Sequence, residues 1–178
     1  MPLVVKYNTN LTGLLNSWKM PGISLGFNKK LLSEVMMPFF TLSTIRKRVK
    51  DHAKLIHAPP NLTKVSGCPD WMGGKYVEVD DEGYHYIGSE RGEVYERHST
   101  KDIQELLYWL LKSITRKMAS DYELSNRIPF VDSRRLLFDK WVELMGMIDP
   151  DFRKRLCIEI DQILKEHPYK DKKKNREN

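Results

Sequence analysis

The segment Tyr84–His98, with the sequence YHYIGSERGEVYERH, decides the fold class of this chain. Two runs of alternating side chains in it are separated by Glu90-Arg91-Gly92, and a glycine-containing turn between such runs predicts an antiparallel hairpin. A third run, Lys75–Val79, precedes them and is separated from Tyr84 by an acidic turn that ends in Gly83. The three runs together predict a three-stranded antiparallel meander.

A sheet of three short strands needs cover on at least one face, and helices on both sides of the hairpin can supply it. Apolar residues recur at helical spacing from Thr41 to His57 and again after Ser99–Asp102, Asp132-Ser133 and Asp149-Pro150, each of which carries a helix-start signal. We therefore predict an α+β fold with about four helices and a helix-rich C-terminal half. The longest apolar stripe, which we expect in the core, is Ile103, Leu106, Leu107, Leu110, Leu111, Ile114 and Met118.

Composition shifts divide the chain into three parts. We predict an N-terminal extension of irregular structure over residues 1–40, a single α+β domain over 41–168, and a basic disordered tail over 169–178. The alternative for 1–40 is an arm that packs on the domain. No apolar run is long enough for a membrane span, the start lacks a secretory pattern, and the two cysteines have no metal-site spacing, so we expect a cytoplasmic protein.

The net charge of +6 belongs to the ends of the chain. Residues 1–38 and 168–178 each contribute +3, and the segment between them is neutral. Within that segment, residues 78–105 carry nine acidic and three basic side chains. Such a surface repels phosphate and attracts a basic partner, so we do not expect nucleic acid to be the main ligand.

Groups suited to catalysis are few. Glu90, Glu93 and Glu96 are close in sequence, but strict alternation puts Glu93 on the face of its strand opposite to Glu96 and separates it from Glu90 as well. His85 and His98 flank the hairpin without a second ligand at metal-binding spacing. The chain also has no phosphate-binding glycine loop. We therefore expect no enzyme, no metal and no cofactor.

The acidic hairpin is better suited to contact with another protein, because negative charge accelerates the encounter with a basic partner. A solvated acidic surface without a partner explains the same charges equally well. Aromatic and arginine side chains often provide local affinity in interfaces, although an aromatic residue in a loop can instead pack on the core. The candidate partner-binding residues are Glu90, Arg91, Glu93, Glu96, Arg97 and Trp71.

A family resemblance is carried by three strings in order: GKYVEVDDEGYHYIGSERGEVYERHSTKDIQELLYWLLKSIT, MASDYELSNRI and DSRRLLFDKWVELMG. Together they resemble the immunity protein 63 family of bacterial polymorphic toxin systems, over roughly residues 44–168. The resemblance implies a small α+β protein that binds and neutralises a cognate toxin, for which a nuclease is one candidate. It implies no catalytic residue. The pair Arg116-Lys117 is more basic than the family pattern.

One alternative function belongs to another class. The predicted helix over residues 41–57 carries several lysines and arginines, and together with the basic ends it could make a small nucleic-acid-binding protein. Otherwise we expect a toxin as the partner and no membrane. The sequence leaves the oligomeric state open.

Overall fold

A computed structural model of the chain describes residues 39–70 and 72–171. The predicted extension before residue 39, the candidate residue Trp71 and the end of the predicted tail lie outside the described residues. The described part contains three strands and four helices and confirms the α+β fold with a helix-rich C-terminal half. In chain order these elements are α1 (Leu42–Leu55), β1 (Gly74–Val79), β2 (Tyr84–Glu90), β3 (Glu93–Thr100), α2 (Ile103–Ser125), α3 (Ser133–Ile148) and α4 (Pro150–Glu166).

The strands form the predicted antiparallel meander in the order β1-β2-β3. A two-residue turn joins β2 to β3, and both of its residues, Arg91 and Gly92, have positive φ angles of 53° and 88°. This backbone matches the right-handed twist of a hairpin, and glycine adopts it at little steric cost. Gly92 therefore marks the position of the turn between the second and third strands in the sequence.

A β-bulge interrupts the pairing of β2 with β3. Gly88 faces Glu96, but the next residue of β2, Ser89, faces Val94, so Tyr95 is the extra residue of β3. Tyr95 lies against Gly88, where an added Cβ would be only 2.7 Å from its ring. The bulge shifts the alternation of β3 by one residue, since a bulge inserts one unpaired position.

The core lies where α2 packs against the sheet and the other helices. The predicted stripe of α2 is confirmed, with Leu106, Leu107 and Leu111 fully buried. Tyr108 of α2 is also buried and meets Phe152 of α4 edge to face, with ring centroids 5.3 Å apart. A central helix of this kind supplies the cover that a small sheet requires.

The helix starts follow the sequence closely. Asp132 and Asp149 cap α3 and α4, and Pro150 occupies the first turn of α4, as predicted. The N-cap of α2 is Asp102, whereas Thr100 ends β3 and accepts a hydrogen bond from the Asp102 backbone N–H. Each capping carboxylate accepts backbone N–H groups that the first helical turn leaves free.

The segment after α4 is held at the start of α3. The Asp132 carboxylate accepts hydrogen bonds from the Lys170 backbone N–H at 2.8 Å and from Arg134, and the Asp171 carboxylate accepts one from Arg135 at 3.0 Å. The Arg135 guanidinium also lies 4.2 Å from the centre of the Tyr169 ring. These contacts reach residues that the sequence analysis assigned to the tail.

Candidate functional site

The tip of the β2–β3 hairpin presents two carboxylates side by side. Glu90 and Glu93 occupy directly opposite positions in the strand pair, and both are exposed, as is Arg91 in the turn between them. Like charges on opposite positions of a strand pair repel each other and destabilise the pairing. The tip therefore presents two adjacent carboxylates and one guanidinium, and the two carboxylates are open to a cation from a partner.

Exposed apolar side chains surround this tip. Val94 and Tyr95 of β3 are 55% and 62% exposed, and Met72, in the loop before β1, is 90% exposed. That loop approaches the tip, since a Cβ added at Gly73 would lie 3.4 Å from the Glu90 side chain. Apolar groups next to charges are common in protein–protein interfaces, because the burial of each apolar group by a partner lowers the free energy of the complex.

The bulge changes which carboxylates share a face. Opposite residues in a strand pair point to the same side, so Glu90, Glu93 and Glu96 all lie on the face of the sheet that carries Tyr86. The expectation that Glu93 points away from the other two was wrong. Strict alternation failed because Tyr95 is inserted between Glu93 and Glu96.

Glu96 is neutralised by its neighbours. Its carboxylate lies 2.5 Å from the Lys75 ammonium of β1 and accepts a hydrogen bond from His98 Nε2 at 2.7 Å. These hydrogen bonds, from Lys75 first and His98 second, lower the pKa of Glu96 below its ordinary value. Burial opposes the charge of Lys75, but the hydrogen bond to Glu96 raises the pKa of this lysine overall. Glu96 therefore contributes less negative charge to the surface than the tip residues do.

Arg97 lies apart from the other candidate residues. It faces Ile87 in the strand pair, on the opposite side of the sheet from Glu96. Its guanidinium is 3.6 Å from the carboxylate of Glu78. The structure thus brings Glu90, Arg91 and Glu93 together, ties Glu96 into an ion pair nearby, and places Arg97 on the other face.

A small pocket, named here the aromatic pocket, opens between this face of the sheet and helices α2 and α3. Its volume is about 180 Å³. Tyr86 and Trp109 stack in it with ring centroids 6.3 Å apart, and Ser113 lies in its lining. Other lining residues are Lys75, Glu96, His98, Lys112, Arg116 and Trp141. The pocket was not predicted from the sequence, although Trp109 and the basic Arg116 of α2 were signals for it.

A hydrogen-bonded serine, histidine and aspartate connect β3, β2 and the turn between β1 and β2. His85, only 3% exposed, contacts the Asp80 carboxylate through Nε2 at 2.9 Å and the Ser99 hydroxyl through Nδ1 at 2.8 Å. The Asp80 carboxylate also accepts the backbone N–H groups of Glu82 and Gly83, so it shapes the turn. The hydrogen bond from His85, above all, lowers the pKa of Asp80. A catalytic triad also requires an oxyanion site and room for substrate. The hydrogen bonds of the buried His85 connect β2 to β3 and to the turn before β2, which is a structural role.

Among the described residues, no group of three or more His, Cys, Asp or Glu side chains is placed to hold a metal ion. Cys68 is exposed and Cys157 half-buried, and both are free thiols. In the same part of the chain, no helix is long and apolar enough to cross a bilayer.

Several cations of α1, the helix of the nucleic-acid alternative, have intramolecular partners. Arg46 Nε donates to the Val65 carbonyl at 2.9 Å, and Lys54 Nζ donates to Asp51 at 2.9 Å. The Arg48 guanidinium lies 4.3 Å from the centre of the Phe40 ring. A phosphate-binding surface needs several free cations in a row, and these contacts reduce the number that α1 offers.

The fold and this surface define a small α+β domain with an acidic hairpin tip beside an aromatic pocket. Residues 80–162 match the family model described as Immunity protein 63, and the match confirms the resemblance carried by the sequence. It extends from the β1–β2 turn into α4 and covers slightly less than half of the chain. Comparison with curated proteins gives no match, and comparison with solved structures gives none either.

Proposed function

We propose that this protein neutralises a cognate bacterial toxin by binding to it, without catalysing a reaction. The observation that carries the proposal is the match of residues 80–162 to Immunity protein 63. The matched segment includes the hairpin, α2 and α3, and thus most of the aromatic pocket. A protein that acts by occupying another protein needs a complementary surface, so we look for function in its exposed charges and apolar groups.

The hairpin tip supports a basic toxin as the partner. Glu90 and Glu93 repel each other in the free protein, and a cation placed between them would relieve that repulsion. Charge complementarity of this kind also raises the rate of association. Tyr95 and Met72 beside the tip would supply apolar contact area once the charges have aligned the two proteins.

The outer edge of β3 favours the same surface. Within residues 39–70 and 72–171, β3 pairs only with β2, and most of its side chains are exposed. An edge strand leaves backbone N–H and C=O groups free to pair with an extended segment of another protein. The toxin would then contact the tip and the edge together.

We also propose that the binding domain spans residues 41–168 and works in the cytoplasm. The free thiols of Cys68 and Cys157 agree with a reducing compartment. The basic residues outside that range are not needed for the surface proposed here.

The experiment is co-expression with candidate toxin domains taken from genes adjacent to the gene for this protein, followed by co-purification, a growth assay and calorimetry. The test variant is Glu90→Lys/Glu93→Lys, for which we expect binding about 10- to 100-fold weaker with little change in melting temperature. The matched control is Asp81→Lys/Glu82→Lys, which makes the same charge change in the exposed turn between β1 and β2.

Equal loss of binding in both variants would show that net charge, and not the position of the tip, causes the effect. Unchanged binding in the test variant would show that the tip does not contact the toxin. No protection by the wild-type protein would overturn the proposed function. Salt-dependent binding of DNA or RNA by the purified protein would support the nucleic-acid alternative instead.

A further inference from the structure

The aromatic pocket is built by a second stripe of α2, separate from its apolar core stripe. Lys112, Ser113 and Arg116 follow Trp109 by three, four and seven residues, so the four side chains share one face of the helix. This face looks toward the Tyr86 face of the sheet and toward Trp141 of α3. The pocket is thus framed by regular elements and does not depend on a loop.

Charges in the pocket pair off with one exception. Lys75 is matched by Glu96, and Lys112 lies 2.7 Å from the carboxylate of Glu159 on α4. Arg116 is exposed, and in the described part of the chain no carboxylate lies within ion-pair distance of it. One positive charge therefore remains unneutralised at the pocket.

The Arg116 guanidinium is also held in place. It lies 5.0 Å from the centre of the Trp141 ring, a cation–π arrangement. Trp141 is itself fixed, because its indole N–H donates to the Thr115 hydroxyl at 3.0 Å. A guanidinium stacked in this way keeps its N–H groups available at the edge, in the fork geometry that matches a carboxylate.

We propose that the aromatic pocket receives a single acidic side chain of the partner protein, whose carboxylate pairs with Arg116 while its methylene groups lie against Trp109. A partner that covered Arg116 without an anion would leave a buried, unpaired charge, which is costly. The proposal rests on the proposed function and deepens it. The partner would present cations to Glu90 and Glu93 and an acidic residue to the pocket, roughly 15 Å further along β3.

The pocket can be tested without the toxin, with the probe N-acetyl-glutamate methylamide, whose only charge is the side-chain carboxylate. The neutral control is N-acetyl-glutamine methylamide. Binding to the full chain would be followed by NMR through the indole N–H signals of Trp109 and Trp141. We expect saturable shifts with the glutamate probe in the millimolar range and none with its neutral control.

Arg116→Gln should weaken binding of the glutamate probe about tenfold, whereas Lys50→Gln, the same charge change on the exposed side of α1, should leave it unchanged. Arg116→Lys keeps the charge, and we expect it to retain part of the binding. The amide spectrum of each variant verifies that the fold is intact.

Equal shifts with the glutamate and glutamine probes, or full binding by Arg116→Gln, would overturn the proposal. Inorganic phosphate that binds more tightly than the glutamate probe would also overturn it, in favour of a phosphate ligand. A pocket that binds the probe in a protein that protects against no toxin would contradict the proposed function alone. A protective protein whose Arg116→Gln variant binds its toxin as tightly as the wild type would contradict only the pocket's role.

Discussion

The ammonium of Lys75 lies 2.5 Å from the carboxylate of Glu96, although these residues belong to the two outer strands of the sheet. Both face Gly88 of the central strand, one from each side, so the ion pair spans the central strand at this glycine. Tyr95 lies over the same glycine because of the bulge. The Lys75–Glu96 ion pair thus links the two outer strands and forms part of one wall of the aromatic pocket.

The pH dependence of stability should report this ion pair. The pKa of Glu96 is lower in the folded protein than in the unfolded chain, so its contribution to stability is fully present above the unfolded value of about 4.3 and is lost as pH falls through the folded pKa. Glu96→Gln should therefore reduce the loss of stability between about pH 5 and pH 3. Urea unfolding of the wild type and the variant at several pH values in this range measures the free energy of unfolding. An equal loss of stability in both proteins would contradict the prediction.

Gly88→Ala should disturb the bulge through Tyr95. The new Cβ would lie 2.7 Å from the ring, so the ring must move, and we expect a loss of about 1 kcal/mol in the free energy of unfolding. In a Tyr95→Ala background the same substitution should be neutral or stabilising, because alanine suits a strand better than glycine does. A double-mutant cycle in urea measures the coupling, and an equal effect in both backgrounds would show that the ring contact is not the cause.

His85→Ala should cost about 2–3 kcal/mol of unfolding free energy, because it removes a buried ring together with its hydrogen bonds to Asp80 and Ser99. His98→Ala, at an exposed position of β3, is the matched control and should cost clearly less. If Asp80, His85 and Ser99 connect the strands and do not form a catalytic centre, an organophosphonate reagent should leave Ser99 unlabelled in the wild type. Stoichiometric labelling detected by mass spectrometry would reopen the question of an enzyme.

Asp132→Ala should destabilise the protein by about 1–2 kcal/mol, because it removes the cap of α3. It should also release the segment after α4, since the same carboxylate accepts the Lys170 backbone N–H. Trypsin cleavage after Lys170 should accelerate in native buffer. The comparison is Asp151→Ala, an exposed position in the first turn of α4, for which cleavage after Lys170 should stay at the wild-type rate.

Much of the fold could be predicted because its signals are local. The alternating runs around Gly83 and Gly92 gave the meander, and the capping residues Asp132 and Asp149 gave two helix starts. Backbone preferences and caps act over a few residues, so a short window of sequence contains them. The family resemblance could be detected for the same reason, since it depends on short segments and their order along the chain.

The candidate site was predicted less completely. Glu90, Arg91 and Glu93 could be placed at a hairpin tip, but the bulge at Tyr95 has no clear sequence signal, so the face of Glu93 was assigned wrongly. The partners of Glu96 were also unforeseen, because Lys75 is distant in sequence and reaches it only across β2. The sequence showed Arg116 only as an unusual basic residue of α2. Its contact with the ring of Trp141 in α3 depends on how the two helices pack and could not be predicted.

The sequence by itself determined the classes of the elements, their order, the turns and caps between them, the negative charge of the hairpin and the family to which residues 80–162 are matched. Only the tertiary structure decided which charges remain free. Within the described residues Glu96 and Lys112 are paired and Arg116 is not, because ion pairs form between side chains that packing brings within a few ångströms. Strand register and helix packing set those distances, and both depend on contacts between residues far apart in the chain.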